Sequence, residues 1–463
     1  MNMAFIMILS IGIKAVAAIV EIITQMLITN AMGVRVYGNY MFYVSLVEGT
    51  YFILYSGSVK LNTFYLSTPT CSLLKFKKTY FKWYVLPTIL VVTIGFAVFR
   101  HTYGLIAGAI LLTYYFAYDY SSVLLARGKQ IRALIGEYLL GRVVFLVGIL
   151  LIIHFDQIDR KIETNLFILY GLQFVVIFCF FIFEAKLLPK GTEDTKVSTR
   201  KLFEYQVSDI ANSIVTYFPT ILQYVLGGAF TAGFISVITV IKRIVTFISG
   251  PTAKVFLPEF SRLYKRGEKA LLQQTYLMIV RIQMIFIGTA SSIIIVFPRL
   301  FLGLFSPELI QYVDAFVVTA ICLMVVGGIG PVTGLLQMSG NEKICNRNQW
   351  ISIVAMIVTC ILFLDKPLFA VYGLCVQNVV EGMLKYYSIC RWFGKSIIPI
   401  KVFVLLWFPI ALIYIVVDMF EWKHSYAVAI LCALAVFAWN VGCIIKDPLI
   451  RKSLLGKIKS IGK

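Results

Sequence analysis

The sequence predicts an all-α, polytopic membrane protein of about fourteen transmembrane helices, and three observations carry that prediction. The 463 residues are 60% hydrophobic and 14% charged, against about 45–50% and 25% in a soluble globular chain, and mean hydropathy is +0.88. Apolar runs long enough to cross a bilayer recur from Ala4 to Ile445. The loops between them are alternately basic and poor in basic residues. Secreted, cytosolic and nucleic-acid-binding readings are excluded despite the formal net charge of +20, because Lys and Arg in cytoplasmic loops orient a membrane chain.

A spanning helix needs about 20 mostly apolar residues. On that length the spans fall at 5–29, 39–59, 81–99, 103–125, 133–154, 165–186, 203–228, 232–252, 276–297, 312–335, 350–368, 369–390, 400–420 and 426–445. The competing count is twelve. Every second loop is basic: Lys75, Lys77, Lys78 and Lys82 in the first such loop, Arg127, Lys129 and Arg132 in the next, and so on to the tail IKDPLIRKSLLGKIKSIGK. The intervening loops carry few bases and also hold Asp156, Asp159, Glu163, Glu308, Asp365, Asp418 and Glu421. Both termini are therefore expected in the cytoplasm, which requires an even number of spans.

The nine cysteines form no CxxC and mostly lie inside apolar runs, so they read as small buried hydrophobes rather than a disulfide framework or metal site. His101, His154 and His424 lie far apart with no HExxH spacing. The N-terminus lacks a basic n-region, and its first run contains Lys14 and Glu21, which reads as a retained span rather than a cleaved signal. No loop is long enough for an extramembrane domain, and no GxxxxGK[ST] loop exists to bind a nucleotide. Neither a resident cofactor nor an enzyme activity is expected, and a membrane-embedded synthesis or ligation enzyme would lack its catalytic constellation.

The polar loop at 186–202 leaves six spans before it and eight after, the arrangement of a transporter built from two halves. A shift of 195 residues lays GNYMFYVSLVE (38–48) on GFISVITVIKR (233–243), with glycine on glycine and Glu48 opposite Arg243.

Seven charged residues sit near the middle of predicted spans: Lys14, Glu21, Glu48, Arg142, Lys242, Arg243 and Glu381. Facing all of them to lipid would cost roughly 17–25 kcal/mol on an insertion scale, so they must face a wet cavity or one another. Ser10, Lys14, Glu21 and Gln25 form one stripe of the first helix. Asp209, Ser213, Thr216, Thr220 and Gln223 stripe the seventh, with Asn212 beside them and Pro219 able to bend the helix. Ser236, Thr239, Arg243 and Thr246 stripe the eighth. Gln377, Glu381 and Lys385 recur every four residues in the twelfth, where the last two also suit a self-neutralising pair. Asp119 and Arg281 are expected to snorkel or be solvated at an interface. Two adjacent bases, Lys242 and Arg243, suit an anionic group such as a pyrophosphate. The tyrosines over 114–120, within TYYFAYDY (113–120), suit stacking on sugar rings or, more plainly, an interfacial aromatic belt.

Several stretches resemble the polysaccharide-transporter family, the Wzx-type O-antigen, capsule and exopolysaccharide flippases of the multidrug/oligosaccharidyl-lipid/polysaccharide exporter superfamily. AMGVRVYGNY (31–40) is similar to that family's first turn through Gly33, Tyr37, Gly38 and Tyr40, although Arg35 stands where acidic or neutral residues are commoner. FLPEFSRLYKRGEKALLQQ (256–274), VFPRLFLGLFSPEL (296–309) and GLLQMSGNEK (334–343) resemble further family segments in the same order. The last hundred residues match in hydropathy alone.

The resemblance implies two pseudo-symmetric six-helix lobes, 1–190 and 191–395, then two C-terminal helices and a basic tail over 396–463. It also implies a cavity lined by helices 1, 2, 7 and 8, and alternating access. The expected activity is translocation of an undecaprenyl-pyrophosphate-linked oligosaccharide across the bacterial cytoplasmic membrane. The alternative is a cation-coupled multidrug or metabolite antiporter of the same superfamily. Lys14, Lys242 and Arg243 would engage the pyrophosphate, while Glu21, Glu48 and Asp209 would balance charge or carry protons or sodium. Gln25, Arg142, Asn212, Thr216 and Glu381 complete the expected cavity set. The expected partners are the lipid-linked oligosaccharide, the bilayer and other glycan-assembly membrane proteins.

Overall fold

The computed structural model describes residues 3–66, 104–155, 162–186, 199–245, 266–394 and 426–445, with a few more within 88–94, 260–264 and 412–419. The predicted spans at 81–99 and 400–420, the loop at 187–198 and the basic tail fall wholly or mostly outside the described residues. Within them the chain is helical, without strands. The helices are α1 (Met3–Met32), α2 (Val34–Leu66), α3 (Gly104–Ala126), α4 (Gln130–Leu134), a π-helical turn (Ile135–Leu140) and α5 (Gly141–His154). After α6 (Ile162–Lys186) come α7 (Thr199–Gly227), α8 (Ala229–Val245), α9 (Lys269–Val296), α10 (Pro298–Phe305) and a 3-10 turn (Pro307–Tyr312). The described chain ends with α11 (Val313–Gly327), α12 (Val332–Met338), α13 (Glu342–Leu362), α14 (Phe369–Phe393) and α15 (Tyr426–Ile445).

Most described spans lie within a turn or two of the apolar runs that predict them, because both are set by the same bilayer thickness. The run at 312–335 is interrupted between α11 and α12, where Gly330 takes φ +83°. Six stretches of the described chain are long and apolar enough to cross a membrane. Their large side chains point outward as readily as inward: Val354, Ile361 and Leu362 on α13 are exposed, as expected where the surrounding solvent is lipid.

The chain forms two compact units, Met1–Ser236 and Val237–Lys463. In the first, α2 packs on α3 and α7, α3 on α6, and α1 on α5. In the second, α14 packs on α11 and α13, and α9 on α11 and α15.

Within the first unit one helix corner occurs twice. Helix α1 ends at Met32 and α2 starts at Val34; 195 residues later α7 ends at Gly227 and α8 starts at Ala229. The single residue between each pair is a left-handed glycine, Gly33 at φ +84° and Gly228 at φ +90°. The hydrogen bonds repeat with the same shift: Gly33 N–H donates to Thr29 O and Gly228 N–H to Tyr224 O, both at 3.1 Å. Tyr37 N–H donates to Gly33 O and Ala232 N–H to Gly228 O, both at 3.2 Å. The corners also touch reciprocally. A Cβ on Gly38 would lie 1.8 Å from Ala229 O, and one on Gly233 would lie 2.5 Å from Val34 O. Only glycine lets the backbones approach so closely.

Candidate functional site

In the first unit the π-helical turn joins α4 to α5, and its wider winding sets Glu137 and Tyr138 at the centre of the polar groups. Such insertions occur often at functional sites. Arg142, four residues on, pairs through Nη2 with Glu21 Oε2 of α1 at 2.8 Å. Lys14 Nζ stands 4.5 Å from the Tyr138 ring centre, and the Arg142 guanidinium 6.0 Å from it, so two cations adjoin one aromatic ring. Ser121 Oγ of α3 donates to Glu137 Oε2 at 2.8 Å. Glu48 of α2 accepts from the Tyr170 hydroxyl of α6 at 3.3 Å.

These groups border a tyrosine core. Tyr114 and Tyr118 stack at 4.4 Å with hydroxyls 3.1 Å apart. Tyr51 and Phe174 lie against Tyr114 at 4.6 Å and 4.4 Å. The run 114–120 is therefore no interfacial belt, because Tyr114 and Tyr115 are shut into the helix packing of this unit. Asp119, expected to snorkel, is 1% exposed. Both departures have one cause: α3 is enclosed by α2 and α6, and hydropathy does not reveal which span is central.

The structure thus joins Lys14, Glu21 and Arg142 in one cluster, with Glu48 on the adjoining tyrosine core. Gln25 is buried on the same helix as Glu21, and its Oε1 accepts no hydrogen bond. On α7, Ser213 Oγ donates back to Asp209 O and Thr216 Oγ1 to Asn212 O, both at 2.8 Å, with Asn212 and Thr216 on the exposed side. Sequence reasoning left Glu137 out of the site and missed Tyr138 and Tyr170. A π-helical turn has no sequence signature, and a tyrosine among apolar residues gives no signal of its own.

The second unit holds the remaining candidates. Glu381 of α14 accepts from Lys385 Nζ and from Gln377 Nε2, both at 2.5 Å, as the four-residue spacing predicts. Lys242 of α8 lies within electrostatic range of both Glu381 and Lys385. Two lysines thus act on one carboxylate. Arg243 follows Lys242 in the same unit. Among the described residues no cluster of three His, Cys, Asp or Glu could hold a metal ion.

The fold is similar to that of solved membrane transporters. An inward-facing multidrug resistance MATE-family transporter of the MOP superfamily superposes with a TM-score of 0.63 at 14% identity, covering 84% of this chain and 98% of the other. The lipid II flippase MurJ, in an inward closed conformation, superposes with a TM-score of 0.58 at 15% identity, covering 96% of this chain and 97% of the other. A MATE structure in complex with MaD5 gives 0.55 at 12% identity over 85% of this chain and 94% of the other. No family model matches the sequence, and no curated protein matches it.

Proposed function

We propose that this chain is a flippase that moves an anionic lipid-linked substrate, an undecaprenyl-pyrophosphate-linked oligosaccharide, by alternating access of two lobes, 1–190 and 191–395. The observation that carries the reading is the pair of lysines in the second unit, Lys242 and Lys385, that both act electrostatically on the carboxylate of Glu381. A diphosphate is the anion that such neighbouring cations suit, and its attraction to fixed cations is large where water is scarce. The likeness to a lipid II flippase over 96% of this chain supports the same side of the superfamily. The two termini lie in the cytoplasm of a bacterial inner membrane, and the other glycan-assembly proteins of that membrane are its neighbours.

The test is Lys242→Ala with Arg243→Ala in cells that depend on the chain for surface glycan. Export falls at least tenfold while the protein still reaches the membrane; unchanged export overturns the assignment. A second reading, a cation-coupled multidrug antiporter, is favoured by the first unit, where Glu48 and Glu137 meet tyrosines and a hydroxyl. Efflux of organic cations that Glu48→Gln abolishes would establish it instead.

A further inference from the structure

Helix α2 is held by contacts of different chemistry at its two ends, against the start of α8 at one and against α7 at the other. One end is the reciprocal glycine contact, where Gly38 meets Ala229 and Gly233 meets Val34 backbone to backbone. At the other end the carboxamide of Gln206, 4% exposed, reaches from α7 into α2. Gly57 N–H donates to its Oε1 at 2.7 Å, and its Nε2 donates to Phe52 O at 3.0 Å and also to Ile53 O. Ile53 O and Gly57 N are the i and i+4 partners of an α-helical ladder, so one amide engages both halves of a backbone pair. Between the ends Phe42 stacks on Tyr224 at 4.0 Å and Phe52 on Tyr217 at 5.8 Å. Nineteen helical residues separate Gly38 from Gly57, about 28 Å at 1.5 Å each, close to the hydrocarbon thickness of about 30 Å. The two ends therefore lie at opposite membrane surfaces. Loop charge places Gly38 outside and Gln206 at the cytoplasmic side.

Each end can part without leaving a buried polar group unsatisfied. If Gln206 withdraws, Ile53 O and Gly57 N–H still have each other. The glycine end exchanges only backbone contact. Its corners turn on Gly33 and Gly228, whose surroundings are open and whose φ freedom can absorb a rotation. We propose that Gln206 and the Gly38–Gly233 contact are the two releasable ends of one seam, opening in alternation to admit and discharge substrate. The proposal rests on the transport reading for what passes, but the opening itself is testable without any substrate.

The probe is Val34→Cys, at a position fully buried under Gly233, labelled by a membrane-impermeant maleimide added outside intact cells and measured above the parent chain. Slow labelling is expected. Gln206→Leu frees the inner end, draws population away from the outward-open state and lowers the rate severalfold. Gly38→Ala crowds the outer contact and raises it severalfold. General loosening would raise both, so a raised or unchanged rate in Gln206→Leu overturns the proposal, as does labelling only from the cytoplasmic side of inverted vesicles. If Gly38→Ala fails to elute as a folded species, the Gln206→Leu arm decides alone. A normal exporter in the Lys242→Ala, Arg243→Ala background, with both labelling responses intact, would remove the substrate reading and leave the seam standing.

Discussion

The two units meet the problem of charge within a membrane in opposite ways. In the first, Arg142 pairs with Glu21, and the further acids Glu48 and Glu137 take hydroxyl partners on other helices. In the second, a single helix carries Gln377, Glu381 and Lys385, and Lys242 acts electrostatically on the same carboxylate. Charges shared between helices tie those helices together. On the reading proposed above, the first cluster bears on stability and the second on what is carried.

The largest effect that would break this contrast lies in the first unit. Removing one partner of an ion pair away from water strands the other. Arg142→Ala is expected to cost about 3 kcal/mol, at the low end for buried pairs because the Arg142 side chain keeps 26% exposure. Most of that stability returns when Glu21→Leu is added. Thermal unfolding of the detergent-solubilised protein measures both, and an Arg142→Ala chain as stable as its parent would show that the pair ties nothing together.

A smaller effect is expected in the second unit. Glu381→Gln removes the anion that competes for Lys242 and Lys385, so inorganic pyrophosphate should bind up to about tenfold more tightly, near 1.4 kcal/mol. Ligand-induced thermal shift reads this out. Weaker binding in the variant would place the diphosphate elsewhere.

The repeated corner offers a finer comparison. Gly33→Ala and Gly228→Ala each put a side chain in the left-handed region, at a cost of about 1 kcal/mol. With open space around both positions, the two losses should agree closely. A cost confined to one of them would mean that the corners, alike in backbone, carry unequal load.

Much of this was legible before any coordinates. Hydropathy placed the spans, since a helix in lipid must be apolar outward, and the 195-residue shift exposed the paired corners through Gly38 and Gly233 alone. Partner choice was not legible. Lys14 and Glu21 share a stripe of α1, yet Glu21 bonds Arg142 and Lys14 faces Tyr138, because the π-helical turn brings α5 within reach of both. Gln206, a polar residue near the start of a span, carries no sequence signal of its own. Its role depends on α2 lying alongside α7, which one-dimensional periodicity cannot supply. The same blindness misplaced Tyr114 and Asp119, whose burial is set by the neighbours of α3.

The smallest expected effect concerns Glu48 and Arg243, equivalent positions under the 195-residue shift that fall in different units. Each is expected to act within its own unit: Glu48 accepts a hydrogen bond from the Tyr170 hydroxyl, and Arg243 adds a second base beside Lys242. The Tyr170 bond is worth about 1 kcal/mol, so Tyr170→Phe should slow export at most about fivefold. Glu48→Gln keeps an acceptor for the same hydroxyl, so any further loss of export in that variant measures the charge itself. Export in Tyr170→Phe equal to the parent's would show that the bond only fills the tyrosine core, and the contrast between the units would then rest on charge alone.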